Sequence, residues 1–385
     1  MIINSLLDTD EYKFSMMQCI LHQFPSANIR CEFKCRNGDI FTPEMLTRIN
    51  EEIDHLCSLR FTDDEIAYLA SIRFIKKDYT DFLKNFSLNR EHITTSLDNG
   101  HLSIVAEGNW FLTILFEVPV LAIVNQVYFE RMVVDMNAAK KALATKIAMV
   151  RNYKNFRFSD FGTRRRFSFD WQEYVIKTLA DEVGLPKFVG TSNVYLAKKY
   201  NLTPIGTMAH EFIMAGQGLD VTLRNSQKRM LQAWVDEYRG DLGYALTDTL
   251  GVDAFLRDFD LYFAKLYDGV RHDSGDPYEW GEKIIHHYES LKIDPRTKQL
   301  IFSDGLTMKK ALDLFTHFEG KAKLSFGIGT HLTNDFPGVE PLNIVMKLTE
   351  VNGKPVAKIS DSPGKGMCKD EQYLAYLKTV FGITA

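Results

Sequence analysis

The segment "GVRHDSGDPYEWGEK", residues 269–283, mixes both charge signs with hydroxyl and glycine directly after the apolar run "DLYFAKLY". Arg271 offers a guanidinium fork for a phosphate or carboxylate, and Asp273 can accept from the paired hydroxyls of a ribose. Asp276 has a plainer role. Followed by Pro277 and Glu279, it reads as the N-cap of a helix. A loop of this composition suits a sugar phosphate.

Four more stretches carry candidate chemistry. "FGIGTHL" sets Gly327, Gly329 and Thr330 before a short helical turn, where glycines let backbone N–H groups approach an anion. The pattern G-x-x-x-x-G-K-[ST] is absent from the chain, so a nucleotide must be held another way. "DFGTRRRFS" puts Arg164, Arg165 and Arg166 at a helix start, an unfavourable place for three cations without an anion nearby. Arg164 is the one expected to point inward. "PIGTMAHEF" carries His210, a candidate base or phosphoryl acceptor. Adjacent helical side chains diverge, so the acid that orients His210 need not be Glu211. "LLDTDEYKFSMMQ" supplies Asp8 or Thr9 as a helix cap, Tyr12 to stack on a flat ring and Lys13 to meet a phosphate.

These residues need a scaffold that gathers them. In the second half of the chain, short apolar or β-branched runs end in Gly, Asp, Ser or Thr: "FRFSDFGT", "KFVGTSN", "LTPIGTMAHE", "GYALTD", "LYDGVRHDSGD", "QLIFSDG", "KLSFGIGT" and "LNIVMKL". Amphipathic stretches such as "SQKRMLQAWVDEY", "VDAFLRDFDLYFAK" and "LTMKKALDLFTHF" lie between several of them. Alternating strands and helices point to a parallel sheet, and this number of units predicts a closed or nearly closed (β/α) barrel. A doubly wound open sheet is the alternative. In a barrel the polar strand ends share one mouth, so Asp160, Arg164, Ser192, His210, Asp248, Arg271, Asp273, Asp304 and Thr330 are expected to converge there.

Residues 1–150 read as a separate mixed α/β domain and 151–345 as the barrel, with about 345–385 packing back on the first domain. "RFTDDEIAYLASI" predicts a helix opened by a capping box on Thr62 and Glu65. "HLSIVAEG" alternates as a strand, and "NWFLTILFEVPVLAIVNQVYFERMVV" predicts a strand running into a long buried helix. Glu117 and Pro119 interrupt that run, which is too short for a membrane span, and the N-terminus does not read as a signal peptide. At 385 residues two domains are expected, and a net charge of −4 gives no basic excess for nucleic acid or an anionic membrane. The five scattered cysteines predict buried free thiols in a reducing cytoplasm rather than a zinc site.

Taken in order, "LLDTDEYK", "EFKCR", "DFGTRRRFS", "FVGTSN", "GTMAHE", "LTDT", "RHDSGDP", "FSDG", "FGIGT", "LNIVMKL" and "KISDSPGK" closely resemble the nicotinate phosphoribosyltransferase family, from residue 6 to about 368. The resemblance implies an N-terminal α/β domain on an incomplete, TIM-like (β/α) barrel, the type II phosphoribosyltransferase architecture. It implies a cytoplasmic homodimer with the N-terminal Tyr contributed by the neighbouring chain. The reaction implied joins nicotinate to phosphoribosyl pyrophosphate, giving nicotinate mononucleotide and pyrophosphate at the entry to NAD salvage. Ligase-like coupling to ATP through a phosphorylated His210 is implied too, with Mg2+ carried by pyrophosphate and no dedicated metal site. Tyr12 and Phe161 would sandwich the pyridine with Arg164 near it. Ser192 stands where related nicotinamide enzymes typically carry aspartate, which favours the acid substrate. Arg271 and Asp273 would grip the ribosyl part, with Asp248 and Asp304 at the same mouth. Gly329 and Thr330 would cradle the 5′-phosphate, and Lys358 and Lys365 would contact pyrophosphate or nucleotide. A nicotinamide phosphoribosyltransferase and a non-catalytic nucleotide sensor are the alternatives.

Overall fold

A computed structural model describes residues 1–383 except 39, 363–367 and 369. Its strands form two sheets. The first is antiparallel, in the order β12 (Lys354–Pro355), β11 (Ile344–Val351), β1 (Asn28–Cys35), β3 (His101–Asn109) and β2 (Ile93–Asp98). Strand β1 alternates buried with more exposed residues, as a sheet covered on one face requires. Helices Pro43–Ser58 and Glu117–Phe129 cover that face. Nearby, Thr62 and Glu65 close the expected capping box on helix Asp63–Ser71.

The second sheet is parallel and curls into most of a barrel. Its order is β6 (Thr203–Pro204), β5 (Phe188–Thr191), β4 (Phe158–Asp160), β10 (Lys323–Ile328), β9 (Gln299–Phe302), β8 (Gly269–His272) and β7 (Tyr244–Leu246). The first and last of the ring, β4 and β10, pair directly, so the one break lies between β6 and β7. Pro204 explains part of it, since proline offers no N–H to a further neighbour. Side chains alternate across the wall. Ser159 and Ile301 line the bore, while Phe302 packs outward on Phe318 of helix Met308–Phe318 with ring centroids 5.6 Å apart.

Several expectations change. "LNIVMKL" is not a further barrel strand; β11 runs antiparallel to β1 in the other sheet. Residues after Asn109 form no strand: Trp110–Thr113 is helical, a 3-10 turn follows, and the helix resumes at Glu117. An apolar run of this kind has the same composition as buried strand or buried helix, so only its partners decide. Read as one helix, Trp110–Phe129 is long and apolar enough to cross a membrane, but 78% of its most apolar window is buried in the protein. "VDAFLRDFDLYFAK" is two helices, Val252–Asp258 and Leu261–Leu266, because Asp260 caps the second. All five cysteines are free; Cys19 and Cys31 are buried and the others half-buried.

Candidate active site

The C-terminal ends of the barrel strands and the start of helix Glu11–Gln23 enclose a cavity of about 520 Å3. The N-terminal segment reaches it because Glu11 N–H donates to the Ser192 carbonyl and Val194 N–H to that of Thr9. Asp10 occupies the N-cap position but makes no capping bond. Asp8 does not cap either: its two oxygens accept from Arg166 at 2.6 and 2.7 Å, entirely inside the protein. Of the three arginines, Arg164 and Arg165 therefore line the cavity and Arg166 is structural.

Both aromatic residues expected to hold a flat ring, Tyr12 and Phe161, line the cavity. Gly327 on β10 makes room for Phe161, since a Cβ there would overlap the phenyl ring. The Tyr12 hydroxyl is buried with no partner among the described residues. Ser192 also lines the cavity and donates to Asp10 at 2.7 Å. The half-exposed Arg164 lies 3.8 Å from Asp10 and 3.4 Å from Glu117. Burial pushes the Asp10 carboxyl above its ordinary value, although Arg164 and Ser192 oppose that. Lys13 is absent from the cavity; it is fully buried and paired with two glutamates.

His210, the first residue of helix His210–Ala215, lines the cavity as well. The acid that orients it is Asp248, 2.7 Å from Nε2, whereas Glu211 points away into the core. Nδ1 lies 3.7 Å from Asp273. Burial pushes the imidazole below its ordinary value although Asp248 opposes this, so a neutral ring donating from Nε2 fits the site. Burial alone would raise Asp248, but His210 and Lys358 hold it well below the usual carboxylate range. Lys358 is thus placed one layer back: it is buried, 2.8 Å from Asp248, and does not line the cavity. Ser274 donates to the same Asp248 oxygen at 2.6 Å. Asp273 faces the cavity and accepts from Ser303 at 3.0 Å, and the buried Nε of Arg271 has no partner among the described residues.

Gly329 and Thr330 line the cavity too, Gly329 against the Phe161 backbone. Sequence reasoning missed Arg36 and Asn37, which reach the cavity from the end of β1. The only signal was that the motif "EFKCR" closes on Arg36. Burial, with Arg164 and Arg36 close by, pushes the Arg165 guanidinium down to about 10, so an anion bound here would relieve the crowding. Asp160, Asp248 and Asp304, all expected at the mouth, do not line the cavity; Asp248 is buried behind His210. Asp160 is buried below the mouth, where it accepts from Gln172, Thr191 and Gly162 N–H. Ser303 and Gly305, on either side of Asp304, do line the cavity. Lys365 lies outside the described residues.

The profile of the nicotinate phosphoribosyltransferase family matches residues 156–385, and that of the family's N-terminal domain matches residues 7–125. This chain belongs to the nicotinate phosphoribosyltransferase family. The nicotinate phosphoribosyltransferase of Acinetobacter baylyi is 55% identical, over 99% of this chain and 97% of that one. That of Ralstonia nicotianae is 53% identical with both chains covered in full. Crystal structures agree in fold. The Vibrio cholerae nicotinate phosphoribosyltransferase superposes with a TM-score of 0.95 at 43% identity, covering 100% of this chain and 95% of that one. The Porphyromonas gingivalis nicotinate phosphoribosyltransferase gives 0.95 at 36%, covering 99% and 100%.

In this family member, ligand atoms of His210, Asp248 and Asp273 lie within 4.8 Å of one another. They make a poor cage for a cation, because Asp248 already serves His210, Lys358 and Ser274. Of the three, Asp273 is the one whose carboxylate lines the cavity, the group that a magnesium ion carried on ligand oxygens would meet.

Proposed function

We propose that the protein transfers the phosphoribosyl group of phosphoribosyl pyrophosphate to nicotinate, the first step of NAD salvage from nicotinate. The observation that carries this reading is the company of residues lining one cavity: Tyr12, Phe161, Arg164 and Ser192 together with Arg271, Asp273 and His210. Arg164 would receive the carboxylate of nicotinate, and Tyr12 and Phe161 would hold the ring by its faces. The pyridine nitrogen attacks the anomeric carbon while the bond to pyrophosphate breaks, with oxocarbenium character at the sugar. No base is needed, because that nitrogen carries a lone pair and no proton. Alignment is the protein's main contribution. Arg271 and Asp273 would fix the ribosyl part, and Gly329, Thr330, Arg165 and Arg36 would meet phosphate groups. Magnesium, where bound, neutralises charge on the departing pyrophosphate.

ATP coupling belongs to the same proposal. The Nδ1 lone pair of a neutral His210 would take the γ-phosphoryl group, with loss of ADP, and water would later cleave the N–P bond. Asp248 keeps the proton on Nε2 and so leaves Nδ1 as the nucleophile. The test is pyrophosphate release from phosphoribosyl pyrophosphate and magnesium, with nicotinate or nicotinamide, each with and without ATP. Release with nicotinate, raised by ATP and accompanied by ADP, is expected. Release with nicotinamide alone would overturn the substrate, and unchanged ATP stimulation in His210→Ala would overturn the phosphohistidine.

A further inference from the structure

Behind the cavity lies a chain of buried charges that the proposed reaction does not use. Lys13 and Glu211 each follow a cavity-lining residue, Tyr12 and His210, and turn the opposite way into the protein. The ammonium of Lys13 lies 2.5 Å from Glu117 Oε2 and 2.5 Å from Glu211 Oε2. The second oxygen of Glu211 accepts the Trp110 indole N–H at 2.6 Å. The second oxygen of Glu117 is the one 3.4 Å from Arg164. Charge contacts therefore run without a break from Arg164 through Glu117 and Lys13 to Glu211.

Both ends matter to the cavity. Helix His210–Ala215 is only six residues long and its start has no side-chain cap. Asp248 orients the imidazole, but the turn that bears it is moored through Glu211 to Lys13 and Trp110. At the other end Glu117 holds Arg164 loosely, at a distance where a ligand carboxylate can compete. Burial opposes the Lys13 charge, yet the two glutamates hold the ammonium well above its ordinary value, so the lysine stays ionised throughout.

We propose that Lys13 is a positioning residue that couples the ring pocket to the His210 turn by dividing its charge between Glu117 and Glu211. The inference rests on the reading that Arg164 receives the carboxylate of nicotinate. When that carboxylate engages Arg164, Glu117 is released toward Lys13, and the hold of Lys13 on Glu211 weakens. Binding free energies are reciprocal, so a change at Glu211 alters nicotinate affinity from outside the pocket.

The test is calorimetric titration of the whole protein with nicotinate, using wild type, Glu211→Gln, Glu117→Gln and the double variant. Glu211→Gln keeps an acceptor for Trp110 but leaves Lys13 wholly to Glu117, which then competes less for Arg164. Nicotinate should bind about fivefold tighter, the lower end of typical couplings, with nicotinamide affinity unchanged. In the Glu117→Gln background the same change should have no effect, because the link is cut. Equal tightening in both backgrounds would mean a through-space field and overturn the coupling, as would wild-type affinity in Glu211→Gln. Should Glu211→Gln fail to fold, Trp110→Phe replaces it. Removing the indole donor strengthens the pull of Glu211 on Lys13 and should weaken nicotinate binding, whereas unchanged or tighter binding would overturn the idea. A wild-type protein that binds no nicotinate would instead sink the functional reading beneath it.

Discussion

Replacing Gly327 by alanine tests whether the Phe161 ring is placed by backbone packing. Gly327 lies in β10 opposite Ser159, and Phe161 follows β4 with its N–H donating to the Ile328 carbonyl. A Cβ at Gly327 would sit 3.0 Å from Cγ of Phe161 and closer still to Cδ2 and Cε2. Both strands are fixed by their ladder, so the ring must yield, by on the order of 1 Å, to regain ordinary contact. An aromatic contact contributes about 0.5–1.5 kcal/mol, and a misplacement of this size can cost far more in rate. We expect the KM for nicotinate to rise about tenfold, with the KM for phosphoribosyl pyrophosphate within about twofold of wild type. Steady-state kinetics in both substrates measure this directly. The decisive comparison is Gly327→Ala in a Phe161→Ala background, where the alanine meets no ring and should add nothing further. Effects that multiply, or an equal rise for both substrates, would refute the packing argument.

Ser192→Asp would set a second buried carboxylate beside Asp10 and close to any ligand carboxylate. Nicotinate kcat/KM should fall about a hundredfold, with nicotinamide affected less, in product assays on each substrate. Asp248→Asn removes the charge that opposes the effect of burial on His210. The imidazole should then titrate even lower by NMR, and ATP stimulation should drop at least tenfold. Glu11 is buried and its carboxyl is pushed up to about 7, mainly by burial, so the folded state holds its proton more tightly than the unfolded chain. That contribution to stability is fully present below about pH 4.5 and is lost as pH rises toward 7, by roughly 3 kcal/mol. Thermal melting of Glu11→Gln should be flatter than wild type across this window, and an unchanged slope would locate the titration elsewhere.

Local chemistry was legible in the sequence wherever it is written within a few residues. Thr62 with Glu65, and Asp276 with Pro277, read as helix starts and are helix starts. Strand ends rich in Gly, Ser, Thr and Asp read as one mouth, and Arg164, Ser192, His210, Arg271, Asp273 and Thr330 do share a cavity. What stayed hidden depends on long-range pairing. Arg36 enters the cavity only because β1 ends beside β11, more than 300 residues later. Asp248 rather than Glu211 orients His210, and nothing in the spacing of residues 210 and 248 announces it. Lys13 and Lys358 carry the charge expected of phosphate contacts, but each is already buried against carboxylates. Polar type is local information; which neighbour satisfies it is not.

The return of β11 to the first sheet also bears on how the chain is made. Until residues 344–351 leave the ribosome, β1 is paired only with β3, and its other edge presents open N–H and C=O groups. The first sheet therefore cannot finish before the barrel has been synthesised, and the nascent protein carries an unprotected strand edge for most of translation. A fragment ending before Ile344 keeps that edge permanently. It should aggregate through strand pairing even though three of the five strands of the first sheet, and all seven of the second, remain in it.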